Sequence, residues 1–119
     1  ALVVAQRLLR RLCQRCREPY EPLPAIRERF QITEELLYHP KGCEQCNNAG
    51  YRGRVGVYEI MVMDRELLNL TAKGATTLEL KDASVKAGMT TLWQNGLKKV
   101  RAGMTSFEEL ENVVLLQRE

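Results

Sequence analysis

Leu12-Cys13-Gln14-Arg15-Cys16 and Gly42-Cys43-Glu44-Gln45-Cys46 are the two stretches that decide how this chain folds. Together they spell C-x2-C-x26-C-x2-C, and no other cysteine competes for partners. A two-residue gap lets both sulfurs of a pair converge on one ion from a tight turn, and four thiolates suit one tetrahedral zinc. Gly42 supplies the permissive backbone that such a knuckle needs. The gap between the pairs is longer than the usual zinc-ribbon spacing, so the match is carried by the pairs rather than by the loop. Two disulfides are the plain alternative. They would imply an oxidising compartment, whereas Ala1 to Leu12 carries arginines where a signal peptide needs an unbroken apolar core. Thiol redox chemistry is a further alternative, but redox motifs rarely come as two matched pairs. Cys13, Cys16, Cys43 and Cys46 are therefore the predicted ligands of one structural zinc. Four thiolates fill its coordination sphere and leave no position for water or substrate.

Working outward, the loop between the pairs has little core of its own. Pro19, Pro22 and Pro24 mark an extended, turn-rich path, and Ala25 to Phe30 has the composition of a short helix. Thr33 followed by Glu34 and Glu35 reads as a cap with one acidic turn. A lobe this poor in apolar residues needs a metal as its staple. N-terminal to it, residues 1–12 fit two templates. Leu2, Ala5, Leu9 and Leu12 approximate a helical face, while Leu2, Val4, Leu8 and Leu12 lie on one side of a strand. The segment starts without a cap, as though cut from within a larger domain.

C-terminal to the second pair, Gly50 and Gly53 allow a tight turn before a strand over residues 55–63. Val55, Val57, Met61 and Met63 alternate there with Gly56, Tyr58, Ile60 and Val62, which predicts a strand buried on both faces. Glu59 is the only charge in it, and the expected partner is a neighbouring arginine such as Arg7. The rest reads as four short helices. Asp64 caps the first and Gly74 stops it; Thr76 with Glu79 forms a capping box for the second, which ends at Gly88. Thr90 or Thr91 opens the third, and Thr105 with Glu108 is read as the box of the last. Leu67, Leu68, Leu70, Leu92, Trp93, Leu97, Val100, Phe107, Leu110, Val113 and Val114 are the expected core.

The chain has 119 residues, 45% of them hydrophobic, enough for one modest core or for a metal-stapled lobe beside a helical one. No apolar run approaches the roughly 20 residues of a membrane span, which together with the thiols suggests a soluble, cytoplasmic protein. Eighteen Lys and Arg against 15 Asp and Glu give +3 with neutral thiols. Four thiolates and one dication add minus two, leaving +1, too little to argue nucleic-acid binding. There is no G-x-x-x-x-G-K-[ST] phosphate loop, nucleophile elbow or H-E-x-x-H pattern. His39, the only histidine, sits beside Pro40 in a polar loop and reads as a solvated side chain rather than a further ligand.

The order of these segments resembles the bacterial type II secretion and type IV pilus assembly ATPases. Val4-Ala5-Gln6-Arg7-Leu8-Leu9-Arg10-Arg11-Leu12-Cys13-Gln14-Arg15-Cys16 is similar to the end of that family's ATPase core, where it enters a tetracysteine insertion. Gly42 to Cys46 and Gly50-Tyr51-Arg52-Gly53-Arg54-Val55-Gly56-Val57-Tyr58-Glu59 resemble the insertion's exit and the returning strand. Asn95-Gly96-Leu97-Lys98-Lys99-Val100 and Gly103-Met104-Thr105-Ser106 resemble its C-terminal helices.

The resemblance implies an α+β chain in four parts. Residues 1–12 would be a strand at the edge of a RecA-like ATPase sheet, 13–54 the inserted zinc lobe, 55–63 the returning strand and 64–119 a helical subdomain. It also implies a hexameric motor at the cytoplasmic face of the inner membrane. Its partners would be neighbouring subunits, an inner-membrane platform protein and a cytoplasmic adaptor, with no membrane insertion of its own. ATP and Mg belong to parts of that family upstream of these residues, so no enzymatic activity is expected of this chain alone. The competing class is a zinc-ribbon nucleic-acid binder, with Arg15, Arg17, Arg52 and Arg54 on phosphates and Tyr20, Tyr38 and Tyr51 as stacking surfaces.

Overall fold

The computed structural model describes residues 2–115; the ends of the expected 1–12 and 64–119 segments at Ala1 and residues 116–119 lie outside them. Strand β1 (Leu2–Leu12) settles the ambiguity of the N-terminal segment. It pairs antiparallel with β4 (Tyr51–Val62), which begins at Tyr51 rather than Val55. The register runs from Leu2 opposite Val62 to Leu12 opposite Tyr51, with an irregularity between Arg10 and Leu12. Everything between the two strands forms the cysteine lobe. It contains β2 (Glu18–Tyr20), helix α1 (Pro24–Arg29), β3 (Leu37–His39) and a single 3-10 turn at Glu44–Cys46. β2 and β3 pair as a small antiparallel sheet of their own. Pro24 opens α1, where a missing N–H costs nothing. The acidic turn expected after Thr33 does not form: residues 33–36 are irregular, and Glu34 is drawn into an ion pair with Arg101 at 2.7 Å.

The remaining elements are α2 (Arg65–Ala72), α3 (Thr77–Lys86), α4 (Leu92–Arg101), α5 (Phe107–Leu110) and a π turn over Glu111–Leu115. Asp64 caps α2 by accepting from Leu67 N at 2.9 Å, Thr76 and Glu79 close a capping box on α3, and Thr91 with Gln94 does the same for α4. The last start differs from expectation. Ser106 caps α5 by accepting from Glu109 N, while Thr105 is fully buried and donates to the Arg10 carbonyl at 2.7 Å.

Strand β4 is buried on one face only, which corrects the expectation of two. Val57 is 1% exposed, but Tyr58, Ile60 and Val62 are 47, 50 and 58% exposed, and their partner-strand neighbours Leu2 and Val4 are open as well. The covered face carries Leu9 and Val57 into a core with Ile32 and Leu37 of the lobe and Leu97, Val100, Phe107, Leu110 and Val114 of the helices. Phe30, Trp93 and Phe107 form an aromatic triad in this seam, with ring centroids 5.2 to 5.8 Å apart. Leu68, expected inside, is 55% exposed.

Gly103 sits where lobe and helices meet, with φ at +74°. Its carbonyl accepts from Arg17 Nη1 at 2.8 Å, and a Cβ there would collide with that guanidinium and approach the Tyr38 ring to 3.1 Å. Gly74 also has positive φ but open space around it. Gly103→Ala is therefore expected to lower the urea-unfolding stability by about 2–4 kcal/mol, combining left-handed strain with steric displacement. Gly74→Ala should carry only the conformational part, about 1–2 kcal/mol; equal losses at the two positions would refute the steric account.

Candidate metal centre

The cysteines are placed by the ends of the long strands. Cys13 follows β1 directly, and its N–H donates to the Gly50 carbonyl at 2.9 Å, one step before β4 begins. Cys16 lies in the following turn. Cys43 caps the 3-10 turn and Cys46 ends it, and the loop is closed by Asn48 N on the Cys43 carbonyl at 2.8 Å. Asn47 and Asn48 adopt left-handed backbone, a conformation asparagine tolerates well, so the chain reverses around the sulfurs. Gly42 is required here: its φ is +111°, and a Cβ would sit 2.9 Å from the Asn48 carbonyl oxygen.

The four Sγ atoms all lie within 4.8 Å of one another. Cys13 and Cys43 are 3.8 Å apart, Cys16 and Cys46 3.8 Å, and Cys43 and Cys46 3.7 Å. A disulfide requires about 2.05 Å, so these are free thiols held together rather than bridges. A tetrahedron with metal–sulfur bonds of about 2.3 Å has edges of about 3.8 Å. The donor set thus has the size of one four-sulfur ion site, and it can hold a metal.

Backbone N–H groups are aimed at the sulfurs. Gly42 N donates to Cys16 Sγ at 3.3 Å, and Cys46 Sγ accepts from Cys43 N at 3.2 Å and Gly50 N at 3.3 Å. Burial pushes the Cys46 thiol up, but these two donors and the neighbouring sulfurs outweigh it and hold the group at about 6. Burial drives Cys16 the other way, to about 11, with the other sulfurs adding to the rise. Cys13 lies below its ordinary value, chiefly through the Cys16 N–H. One thiolate forms readily and makes the next harder to form; a shared dication removes that conflict.

Around the cluster the charged residues are mostly engaged elsewhere. Arg17 stacks on the Tyr38 ring at 3.9 Å while holding Gly103, and Arg10 lies over Tyr51 at 4.2 Å. Arg11, Arg15 and Arg52 line a depression beside Cys13. His39 is not simply solvated: it stacks on Tyr20 at 3.6 Å and its Nδ1 lies 3.1 Å from Glu108. Glu59 is countered by Lys81 at 3.3 Å and accepts from Leu92 N at 2.9 Å.

Glu109 is the residue that sequence reasoning overlooked. It is 4% exposed, accepts from Arg10 N at 2.7 Å, and takes the Arg10 guanidinium at 2.9 and 3.1 Å. Ser106-x-x-Glu109 is itself a capping-box spacing, equal in merit to Thr105-x-x-Glu108, and was the available signal. In the structure the Glu109 side chain turns away from the box to satisfy the strand.

The chain matches the family model described as type II/IV secretion system protein over residues 1–112. It is 39% identical to the type IV pilus assembly ATPase PilB of Myxococcus xanthus over 115 residues, covering 92% of this chain and 20% of that protein. To the type II secretion system ATPase E of Vibrio cholerae it is 39% identical over 114 residues, covering 93% and 22%. To the type IV pilus assembly ATPase PilB of Thermus thermophilus it is 35% identical over 113 residues, covering 91% and 13%. The chain thus spans about a fifth or less of the length of these relatives.

Proposed function

Because the chain belongs to the type II/IV secretion system protein family, we propose that it acts as the zinc-braced C-terminal module of an ATPase that powers type II protein secretion or type IV pilus assembly. The observation that carries the zinc reading is the four-sulfur cluster, in which three Sγ–Sγ separations are 3.7–3.8 Å, the edge length that suits that ion, and all four atoms lie within 4.8 Å of one another. Cys13, Cys16, Cys43 and Cys46 would hold it, and Gly42, Cys43 and Gly50 N–H groups would share the thiolate charge. Zinc with four thiolates supplies structure, not a reactive water.

The open strand face supports the RecA-like part of the reading. Leu2, Val4, Ile60 and Val62 form an exposed apolar surface on a sheet of only two strands, a surface suited to the preceding part of such an ATPase. In this reading the module works in a hexamer beside a platform protein and an adaptor at the inner membrane. Among the described residues no helix is long and apolar enough to cross a membrane. The nucleic-acid reading is not favoured. Tyr20, Tyr38 and Tyr51, its stacking residues, are occupied by His39, Arg17 and Arg10 respectively.

Elemental analysis of protein purified without added metal is expected to give one zinc per chain, with metal–sulfur distances of about 2.3 Å by X-ray absorption. Zinc near zero together with two disulfides by mass would end the proposal. The 119-residue chain should also show no saturable ATP binding at micromolar nucleotide, because it contains no phosphate loop. A saturating calorimetric titration in that range would contradict the assignment of nucleotide chemistry to the rest of the motor.

A further inference from the structure

Leu23 is the most exposed of the described large hydrophobic residues, at 70%, and the chain holds it there deliberately. It lies between Pro22 and Pro24 with φ −56° and ψ 142°. Pro24 disfavours helical geometry for the residue before it, so Leu23 has less backbone entropy to lose on being covered. Beside it runs a groove of about 420 Å³ between the lobe and the last helical turns. Its apolar floor is Tyr20, Ile26 and Phe107.

The rim of this groove carries three carboxylates, Glu21, Glu108 and Glu111. Among its lining residues the one basic group is His39, already taken up by Glu108 at 3.1 Å. The Tyr20 hydroxyl registers the field: burial first, then Glu108 and Glu111, push it to about 12. On a chain with a formal charge of +3, an acidic rim around an apolar floor is a local reversal of sign.

We propose that this groove is a docking site for a basic amphipathic helix of a partner protein, which sets aliphatic side chains against Leu23, Ile26 and Phe107 and Lys or Arg against Glu21 and Glu111. Helix-in-groove recognition uses anchors spaced i, i+3, i+4 and i+7, and the groove has room for two or three aliphatic side chains. Phosphate-bearing surfaces are disfavoured, since nucleic acid and anionic lipid would meet carboxylates. The site is separate from the cysteine cluster and stands whether or not the secretion reading holds.

The test uses the metal-loaded chain and an 18-residue synthetic helix with leucines at i, i+3, i+4 and i+7 and lysines elsewhere. A companion peptide carries glutamate in place of lysine. Titration followed by backbone NMR should show saturable shifts clustered at Tyr20, Leu23, Ile26 and Phe107. Leu23→Ser should weaken binding about tenfold, the loss of one buried aliphatic contact. Glu21→Lys with Glu111→Lys should weaken it more than tenfold at low salt, with the difference shrinking as salt rises. Leu23 and Glu21 are exposed and Glu111 is half-buried, none of them in the core cluster, and the same NMR spectra verify that each variant is folded. Equal binding of the glutamate peptide, unchanged affinity in the variants, or shifts centred on Leu2, Val4, Ile60 and Val62 would each overturn the proposal. So would concentration-dependent dimerisation through the same groove in sedimentation, which would make a second copy of the chain the occupant.

Discussion

Stripping the metal from the loaded chain with a strong chelator is expected to erase hydrogen-exchange protection over residues 13–50 and to weaken it through Gly103–Leu110, while α2 and α3 stay protected. Binding of a structural zinc is commonly worth on the order of 10 kcal/mol, comparable to the whole stability of a small domain. From the sequence alone much of the helical half, residues 64–114, is expected to stay folded, with some loosening passed on through the pairing of the two long strands. The structure redraws that division, because Ile32 and Leu37 of the lobe lie in one core with Val100, Phe107 and Leu110. Leu12 N on the Met104 carbonyl at 2.9 Å and Arg17 on Gly103 fasten the same seam. By contrast α2 packs chiefly on α3, and α3 also on β4, where Lys81 meets Glu59. Cys46→Ser should reproduce the chelator's pattern, since it removes the sulfur that holds two N–H donors. Uniform collapse, α2 and α3 included, would mean that the chain is a single cooperative unit.

Leu110→Ala is expected to cost about 2–5 kcal/mol in denaturant unfolding, the range for deleting a fully enclosed leucine side chain. Leu110 is 0% exposed, and its Cδ1 occupies the notch left by Gly96 on α4: a Cβ on Gly96 would overlap it. Glycine in mid-helix costs about 1 kcal/mol relative to alanine, so its presence there is offset by this close approach. Gly96→Ala alone should therefore destabilise by about 1–3 kcal/mol through overpacking. In the Leu110→Ala background the same change should be neutral or stabilising, because the added methyl enters the vacated volume. A double-mutant cycle measures that reversal, and additive losses would refute the notch-and-leucine pairing.

Which parts of this arrangement were legible beforehand follows from the range of the forces involved. Asp64, Thr76 and Thr91 cap their helices as read, because a cap is a contact within four residues. The four cysteines come together as their spacing implies. What escaped depends on groups distant in sequence. Ser106 rather than Thr105 starts α5 because the Arg10 carbonyl claims the threonine hydroxyl, and Glu109 is buried because Arg10 needs it. Glu34 leaves a local helix for Arg101, and His39, still partly in solvent, takes up Tyr20 and Glu108. The two short strands Glu18–Tyr20 and Leu37–His39 were hidden by proline and by their length of three residues.

The outward face of β4 differs from its sequence reading for another reason, which lies in the composition of the strand. Residues 55–63 are apolar on both sides, as Leu8 and Leu9 are on β1. A strand pair with one oily and one polar side is locked right way up by solvent, since sliding by a single position would turn its oily side out. Here sliding costs little in oil, so the pair does not by itself know which way up it lies. The knowledge sits at its neck, where Cys13 bonds to Gly50 and the sulfurs clasp both stems. The cysteine cluster then acts as an alignment pin: it tells two ambiguous strands where to begin counting.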